Sequence, residues 1–299
     1  MTTVINVPQT LSDKTFETVL TALAPVAPDD RVLLDARHTR WASPYGLAAL
    51  LTLAQTRTER PALYAPDPDI GSYWARTGFF RHAESLFELH GQIPRPRSGA
   101  ESDVLLEITP VAGSEDVHEV VSRIQGKAHA ILSKELNLEG KATMGFAMTL
   151  SEACQNIVEH AGRGGWVSVQ MYRWEKRLGG RRVVVIAVCD AGIGFRQSLE
   201  SGASPRSRDD RWDDAMALED AVIRGVSRFR DPGRGQGLAG VRRYIGRWEG
   251  KLSVRSGTAR ISIVPEWDDD VPLQEKLARF PGAQIQITIP ERGAVDQSH

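Results

Sequence analysis

The chain has 299 residues, a length that accommodates two domains more readily than one hydrophobic core. Hydrophobic residues make up 41% and charged residues 25%, which is typical of a globular protein and excludes a disordered chain. The net charge of −1 provides no basic field, so we expect no nucleic-acid partner. No apolar stretch reaches about 18 residues and the first residues lack a signal-peptide pattern, so we expect no membrane association and a cytoplasmic location.

Strand and helix patterns alternate over residues 1–92, which predicts a small α/β sandwich. The strand patterns cover 4–7, 31–36, 61–66 and 85–90, and the helical patterns cover 15–23, 44–55 and 69–80. The segment between His90 and Asp103 is then rich in Pro, Gly and Ser and has no periodicity. We predict the boundary between two domains there.

A second domain is predicted over residues 103–292. It begins with a strand at 104–111 and two helices, Glu115–Glu135 and Thr143–His160. Strands at 166–174 and 181–190 follow, then a polar stretch from Phe195 to Arg234 that has the length of a functional lid. A helix at 238–248 and strands at 251–257, 260–265 and 283–290 complete the domain. The predicted fold class is therefore α/β (α+β), with two domains.

The chain has two cysteines, Cys154 and Cys189. They lie inside a helical and a strand pattern, and their spacing is not that of a metal or redox motif. We predict two small buried core residues.

Three polar residues share one stripe of the second predicted helix. At about 100° per residue, Glu152, Asn156 and His160 fall within about 80° of one another, away from the apolar stripe of the helix. An Asn oxygen suits a hard cation such as Mg²⁺, and a carboxylate one turn earlier can orient a hydroxyl or water toward a γ-phosphate. The alternative is an ordinary solvated helix face.

A carboxylate and two glycines end the most hydrophobic strand. Asp190 can accept a hydrogen bond from the exocyclic amine of adenine, and Gly192 and Gly194 allow the backbone to approach a flat base. A plain turn at the end of a strand is the alternative, because Asp-x-Gly is common in turns.

A glycine-rich segment precedes the next predicted helix. Gly233, Gly235 and Gly237 can direct backbone N–H groups toward phosphate oxygens at a helix N-terminus, with Arg234 as a phosphate contact or a solvated residue and Leu238 opening the helix. The segment also matches G-x-G-x-x-G, but a charged stretch precedes it where the dinucleotide fingerprint needs a strand. No P-loop motif is present in the sequence.

In this order the motifs resemble the GHKL (Bergerat-fold) ATPase superfamily. ExxxNxxxH at Glu152–His160 resembles the N box, DAGIGF at 190–195 the G1 box, GRGQGL at 233–238 the G2 box, and FPGAQIQITIP at 280–290 the closing glycine and strand. The resemblance implies a sheet with helices on one face and an ATP site between sheet, helices and lid. It implies Glu152 as the base, Asn156 as the Mg²⁺ ligand, Asp190 with Gly192 and Gly194 at adenine, and Gly235 and Gly237 at phosphate. The remaining residues that it implies for cofactor binding are His160, Arg234 and Leu238.

Within this superfamily the chain resembles the anti-sigma serine-kinase type more than the histidine kinases. Only one predicted helix fits between the strand at 104–111 and the N box, where a histidine kinase has a two-helix hairpin. His118 lacks the following proline of the usual phosphoacceptor motif, and we interpret it as an exposed helical residue.

The first domain resembles the STAS domains of anti-sigma-factor antagonists, mainly through residues 31–55. Where many STAS domains carry a phosphorylated serine, this chain has Pro44 and Tyr45. Ser43 is the nearest hydroxyl, and its simpler role is to cap the helix that begins at Pro44. Phosphorylation by the attached domain is therefore not expected.

The resemblance leaves two functions open. One is an enzyme, a serine/threonine protein kinase or slow ATPase that uses ATP and Mg²⁺ in a bacterial-type signalling system. The other is an ATP-gated module that regulates a partner by docking. Both imply a regulatory protein partner of the STAS-like or anti-sigma type, and a homodimer is possible.

Overall fold

The computed structural model describes residues 2–95, 104–123, 145, 147–155, 164–202, 211–226 and 237–292. The helices in these ranges are α1 (Phe16–Leu23), α2 (Pro44–Gln55), α3 (Pro68–Arg76), α4 (Phe79–Leu86), α5 (114–123), α6 (147–155), α7 (Glu175–Leu178), α8 (Gly194–Ser201), α9 (Asp214–Leu218), its π-helical continuation (Glu219–Arg224) and α10 (Gly237–Gly246). The strands are β1 (Thr3–Asn6), β2 (Thr10–Leu11), β3 (Val32–Asp35), β4 (Trp41–Ala42), β5 (Ala62–Tyr64), β6 (Glu88–His90), β7 (Val104–Val111), β8 (Gly165–Trp174), β9 (Arg181–Asp190), β10 (Lys251–Gly257), β11 (Ala259–Ile263), β12 (Leu273–Gln274) and β13 (Phe280–Pro290).

Residues 2–95 form what we call the N-terminal layer. Among the described residues, β1, β3, β5 and β6 pair in parallel in that order. Helix α2 begins at Pro44 as its sequence predicts, and the Ser43 side chain caps it by accepting a hydrogen bond from the Gly46 amide at 3.0 Å. Its residues Pro44–Ala54 are buried on all sides, as an all-round apolar helix requires.

The single helix predicted over 69–80 is wrong, because the chain breaks there into α3 and α4. Gly78 adopts a left-handed φ of +80° between them, and a residue in that conformation cannot continue an α-helix. Helix α4 then takes up the start of the strand pattern at 85–90, so β6 is reduced to Glu88–His90.

The larger sheet extends over seven strands of the described chain, in the order β12-β11-β10-β13-β9-β8-β7 and antiparallel throughout. Side chains alternate between its two faces. On β9, Val184, Ile186 and Val188 join the core cluster that also contains residues of α6, α8, α9 and α10. Ala187 and Cys189 instead join the cluster of the N-terminal layer. The sheet is therefore covered on both faces rather than on one.

The face toward the N-terminal layer is unusually polar. Helix α2 packs on β8, β9 and β13 there, and the strand residues that alternate onto this face include Lys251, Ser253, Arg255, Arg260, Ser262, Gln284, Gln286 and Thr288, all buried. Both predicted core cysteines, Cys154 and Cys189, are buried free thiols. Burial raises the pKa of the Cys154 thiol to about 12, so it stays protonated.

The predicted lid, Phe195–Arg234, contains more regular structure than its polar composition suggested. Its described parts include α8, α9 and the π-helical turn, with Leu199, Ala217, Leu218 and Val222 buried in the helix-side core. Residues 203–210 and 227–236 lie outside the described residues. Among the described helices, none has the length and apolar character needed to cross a bilayer.

Candidate functional site

Asp190 ends β9 on the face of the sheet that meets the helices. It follows Val184, Ile186 and Val188 in the strand alternation and is 4% exposed. Its Oδ1 accepts a hydrogen bond from the Gly192 amide at 2.8 Å, which folds the following turn back over the strand end. The carboxylate is therefore fixed by its own turn.

Gly282 forms the wall beside Asp190. It is the third residue of β13, at the point where the pairing with β10 changes register, and its φ of +78° lies in the left-handed region. A Cβ built on Gly282 would lie 2.1 Å from the Asp190 carbonyl oxygen and 2.6 Å from Oδ1. This closeness admits no side chain, so the backbone at 282 lies directly against the predicted adenine contact.

Ser256 joins the Gly282 wall to the start of α8. Its hydroxyl donates to the Gly282 carbonyl at 2.8 Å and accepts from the Phe195 amide at 3.1 Å. Gly194, one residue earlier, approaches the same hydroxyl so closely that a Cβ there would lie 2.7 Å from it. The end of β9, the turn after Asp190 and the start of β13 are thus held together as one unit.

The electrostatic state of Asp190 follows from its burial. Burial raises the pKa of the Asp190 carboxyl to about 7, while hydrogen bonds from the Gly192 and Ala283 amides act in the opposite direction. No cation is among the causes of the shift. A buried carboxyl that titrates near neutrality is more typical of a ligand site than of a structural ion pair.

A polar cavity of about 600 Å³ opens beside this turn. Its lining includes Gly192, Ile193, Arg279 and Gly282, together with Thr56 at the end of α2, but neither Asp190 nor Glu152. We therefore locate the candidate nucleotide site at the helix-side face of Asp190 and not in this cavity, because the alternation of side chains along β9 directs the carboxylate to that face.

Helix α6 presents Glu152 away from the core. Leu150, Ala153 and Cys154 are fully buried against the sheet, whereas Glu152 is half-buried. This is the amphipathic division that the sequence pattern predicts, and it leaves the carboxylate on the side that a ligand can reach. Asn156 and His160, the next two residues of the stripe, lie outside the described residues.

Helix α10 begins at Gly237, the last glycine of the G-rich segment. Leu238 is buried and shares the helix-side core with Leu150, Val188 and Val241. Segments α6, β9 and α10 therefore border one core cluster. Arg234 and Gly235 lie outside the described residues, so their predicted phosphate contacts stay predictions.

Residues 143–292 match the family of histidine kinase-, DNA gyrase B- and HSP90-like ATPases. This span contains α6, the turn after Asp190, α10 and the last strand, and the chain belongs to this family. A comparison with curated proteins finds no match.

The sequence predicted Asp190, Gly192 and Gly194 at the candidate site, but it did not predict Ser256 and the buried Arg255, which the structure places beside them. Ser256 lies at the end of β10 in the stretch KLSVRSG, which carries no local motif. Its role arises because Ser256 pairs with Ala283 across the sheet, immediately beside Gly282. Only long-range strand register, which a single sequence does not specify, brings it to the site.

Proposed function

We propose that this protein binds ATP with Mg²⁺ and uses it to control a regulatory protein partner, as a serine/threonine protein kinase or slow ATPase of the anti-sigma type. The observation that carries the proposal is the unit formed by the Asp190 carboxylate, its Gly192 turn and the side-chain-free wall at Gly282. Family membership supports an ATP-binding, kinase-like regulatory role. The protein substrate class and the metal are the parts that we add.

The described residues fit the purine end of such a nucleotide. A carboxylate that already receives backbone amides on one side can accept an amine hydrogen on the other, which is a selective contact for adenine. Gly282 lets β13 lie directly against Asp190, because a Cβ there would meet the Asp190 carbonyl oxygen, and so helps to fix the carboxylate. Bound Mg²⁺ would neutralise phosphate charge, and Asn156 is the residue that would hold it.

Glu152 is the residue that we expect to act on a proton. From α6 its carboxylate would orient a hydroxyl or a water and accept its proton as the γ-phosphate is attacked. Its partial burial keeps it within reach of a ligand while the adjacent Ala153 and Cys154 anchor the helix.

The acceptor of any phosphoryl transfer is expected to be another protein. In the STAS-like interpretation of the N-terminal layer, the nearest hydroxyl to the usual acceptor position is Ser43, which is 3% exposed and engaged as a helix cap. Tyr45 at that position is also buried, which raises the pKa of its phenol well above the ordinary value. Neither hydroxyl is available to an incoming phosphate.

Replacing Glu152 with alanine is expected to lower ATP turnover at least about a hundredfold and to leave nucleotide binding within a few-fold of wild type, because loss of a general base removes transition-state rather than ground-state stabilisation. Titration calorimetry with ATP, ADP and Mg²⁺ and a phosphate-release assay measure the two quantities. Glu119→Ala, which removes an exposed carboxylate of α5 paired with Arg123, is the control and is expected to change neither.

The outcomes separate the two candidate functions. Unchanged turnover in Glu152→Ala would remove Glu152 from the mechanism. A wild-type protein that binds ATP without turnover, but whose partner binding follows ATP, would favour the gated docking module. A purified protein that binds no adenine nucleotide in the presence of Mg²⁺ would contradict the proposal as a whole.

A further inference from the structure

Arg255 is a fully buried arginine on the polar face of the larger sheet, with 0% exposure. Its Nε donates to Glu17 Oε1 at 2.6 Å and its Nη2 to Glu17 Oε2 at 3.2 Å, a bidentate pair with helix α1 of the N-terminal layer. Its Nη1 donates to the Gly257 carbonyl at 3.1 Å, and Nη2 also donates to the Ala278 carbonyl. All three guanidinium nitrogens thus donate hydrogen bonds, and their acceptors belong to Glu17, Gly257 and Ala278.

The segment held at Ala278 leads directly to the candidate nucleotide site. Two residues later, the Phe280 ring packs between the Phe16 ring of α1, with centroids 5.8 Å apart, and the Arg255 guanidinium, 5.7 Å from the ring centroid. Two residues after that, Gly282 lies against Asp190. Adjacent residues of α1 therefore hold the segment that ends in the wall of the site. We call it the loop 278–282; it consists of the two residues before β13 and the first three residues of β13, where the pairing with β10 changes register.

The neighbouring residue on β10 fixes the other side of the same loop. Ser256 donates to the Gly282 carbonyl, so Arg255 and Ser256 hold the loop 278–282 at its two ends from opposite faces of one strand. A guanidinium can bond several acceptors at fixed angles because it is planar, and a lysine ammonium cannot reproduce this geometry. The orientation of the fork depends on Glu17, because an unpaired buried cation would turn toward solvent or another acceptor.

We propose that Arg255 and Glu17 are positioning residues of the nucleotide site, so that the N-terminal layer completes the site from behind the sheet. The inference rests on the proposed function for the identity of the ligand. Its physical content is that the α1 carboxylate fixes the guanidinium, the guanidinium fixes the loop 278–282, and the loop fixes Gly282 beside Asp190.

The chain supplies a matched control in Arg260, the cross-strand partner of Arg255 on β11. Arg260 is 2% exposed and also meets the N-terminal layer, with Nη1 3.8 Å from Asp13 Oδ2. Its Nη2 donates to Asp270 Oδ1 at 2.8 Å, in the acidic loop before β12. Loss of Arg260 thus removes a buried arginine from the same interface without touching the loop 278–282.

The experiment compares Arg255→Met with Arg260→Met, and Glu17→Gln with Asp13→Asn, in the full chain. We expect the dissociation constant for ATP with Mg²⁺ to rise at least about tenfold in Arg255→Met and several-fold in Glu17→Gln, and to stay within about twofold in both controls. Amide hydrogen exchange at Ala283 is expected to accelerate at least about tenfold in Arg255→Met and several-fold in Glu17→Gln, and to stay unchanged in both controls. Thermal unfolding records the general destabilisation, which both arginine variants share.

Arg255→Lys separates positioning from charge. It keeps the cation opposite Glu17 but cannot reach Glu17 and Ala278 together, so we expect weakened nucleotide binding despite a smaller loss of stability than in Arg255→Met. Full recovery of affinity by lysine would overturn the positioning role and leave only a charge effect. Equal loss of affinity in Arg255→Met and Arg260→Met would overturn it too, since any damage to the interface would then suffice.

Failure of this inference and failure of the proposed function have different signatures. A wild type that binds no nucleotide contradicts the proposed function, and hydrogen exchange at Ala283 then still tests whether Arg255 holds the loop. Unchanged exchange in Arg255→Met overturns the inference whether or not ATP binds. If Arg255→Met does not fold, Glu17→Gln gives the same comparison, because it keeps the shape of the side chain and removes its charge.

Discussion

Replacing Gly282 with alanine is expected to cost about 2–5 kcal/mol of folding free energy and to abolish measurable nucleotide binding. The left-handed φ of +78° costs a non-glycine residue about 1–2 kcal/mol. The new Cβ would in addition lie 2.1 Å from the Asp190 carbonyl oxygen, so β9 and β13 must separate at the site, at an overpacking cost of about 1–3 kcal/mol. Urea unfolding and a nucleotide titration measure the two effects.

Gly179→Ala provides the control for Gly282→Ala. Gly179 also has a positive φ, +58°, but no atom lies within 4 Å of its built Cβ. We expect only the backbone term there, about 1–2 kcal/mol, and unchanged nucleotide binding. If the two alanine variants lose the same stability, the contact between position 282 and Asp190 is not tight, and the wall assigned to Gly282 would have to be abandoned.

The sequence predicted the local elements of this chain better than their assembly. Helix α2, strand β7 and strand β9 have the predicted bounds, because an apolar run with a Ser-Pro start or a Gly-terminated end is locally determined. Helices α3 and α4 were missed as separate elements because one glycine in a left-handed conformation divides a continuous helical pattern.

The polar face of the larger sheet could not have been predicted as buried. The alternation in KLSVRSG is typical of a strand with one solvated face, and Lys251 and Arg255 would then be surface residues. Lys251 is buried against Asp268 and Asp270 of the loop before β12. Arg255 is buried because Glu17 of the N-terminal layer, 238 positions away, supplies its counter-charge. Pairing over that distance leaves no local trace in one sequence.

The residues of the candidate site also divide into those that a local motif indicates and those that only long-range strand pairing brings there. Asp190 and its glycines could be predicted as candidates because they lie within five consecutive residues, whereas Ser256 and Arg255 reach the site only through strand register. The motif order predicted that α6, β9 and α10 meet, and the structure shows that Leu150, Val188 and Leu238 of these elements belong to one core cluster.

Asp190→Asn is expected to change the pH dependence of stability of the ligand-free protein. The folded pKa of about 7 exceeds the ordinary value of 3.8, so the folded state holds a proton that the unfolded chain has released between these values. The wild type therefore loses stability as pH rises from about 4 to about 7, by a few kcal/mol at about 1.4 kcal/mol per unit of pKa difference. The asparagine does not titrate, so we expect the variant to gain on the wild type over this interval.

Urea unfolding of both proteins at pH 5 and pH 8 measures the difference, in which contributions of other titrating groups cancel. Asp116→Asn is the control of opposite sign. Hydrogen bonds from the Ala112 and Gly113 amides lower the pKa of the Asp116 carboxyl, so its contribution is lost only as pH falls below the ordinary range. Its difference from wild type should stay constant from pH 5 to pH 8. If the difference in stability from wild type is constant from pH 5 to pH 8 in both variants, the raised pKa of the buried Asp190 carboxyl is contradicted.

The same substitution is expected to weaken nucleotide binding at least about a hundredfold, while it spares the ligand-free fold above pH 7. With Oδ1 engaged by the Gly192 amide, asparagine directs an NH₂ group toward the site, and two donors then face each other across the adenine contact. Wild-type affinity should fall about tenfold per pH unit below about 7, as the carboxylate is protonated, and the variant's residual affinity should not. No cation is among the causes of the pKa shift of the Asp190 carboxyl, and its burial costs stability. Such a carboxyl gains a favourable partner only when an amine donor binds, which is typical of a ligand-binding residue. Nucleotide affinity in Asp190→Asn equal to that of wild type would remove Asp190 from the site.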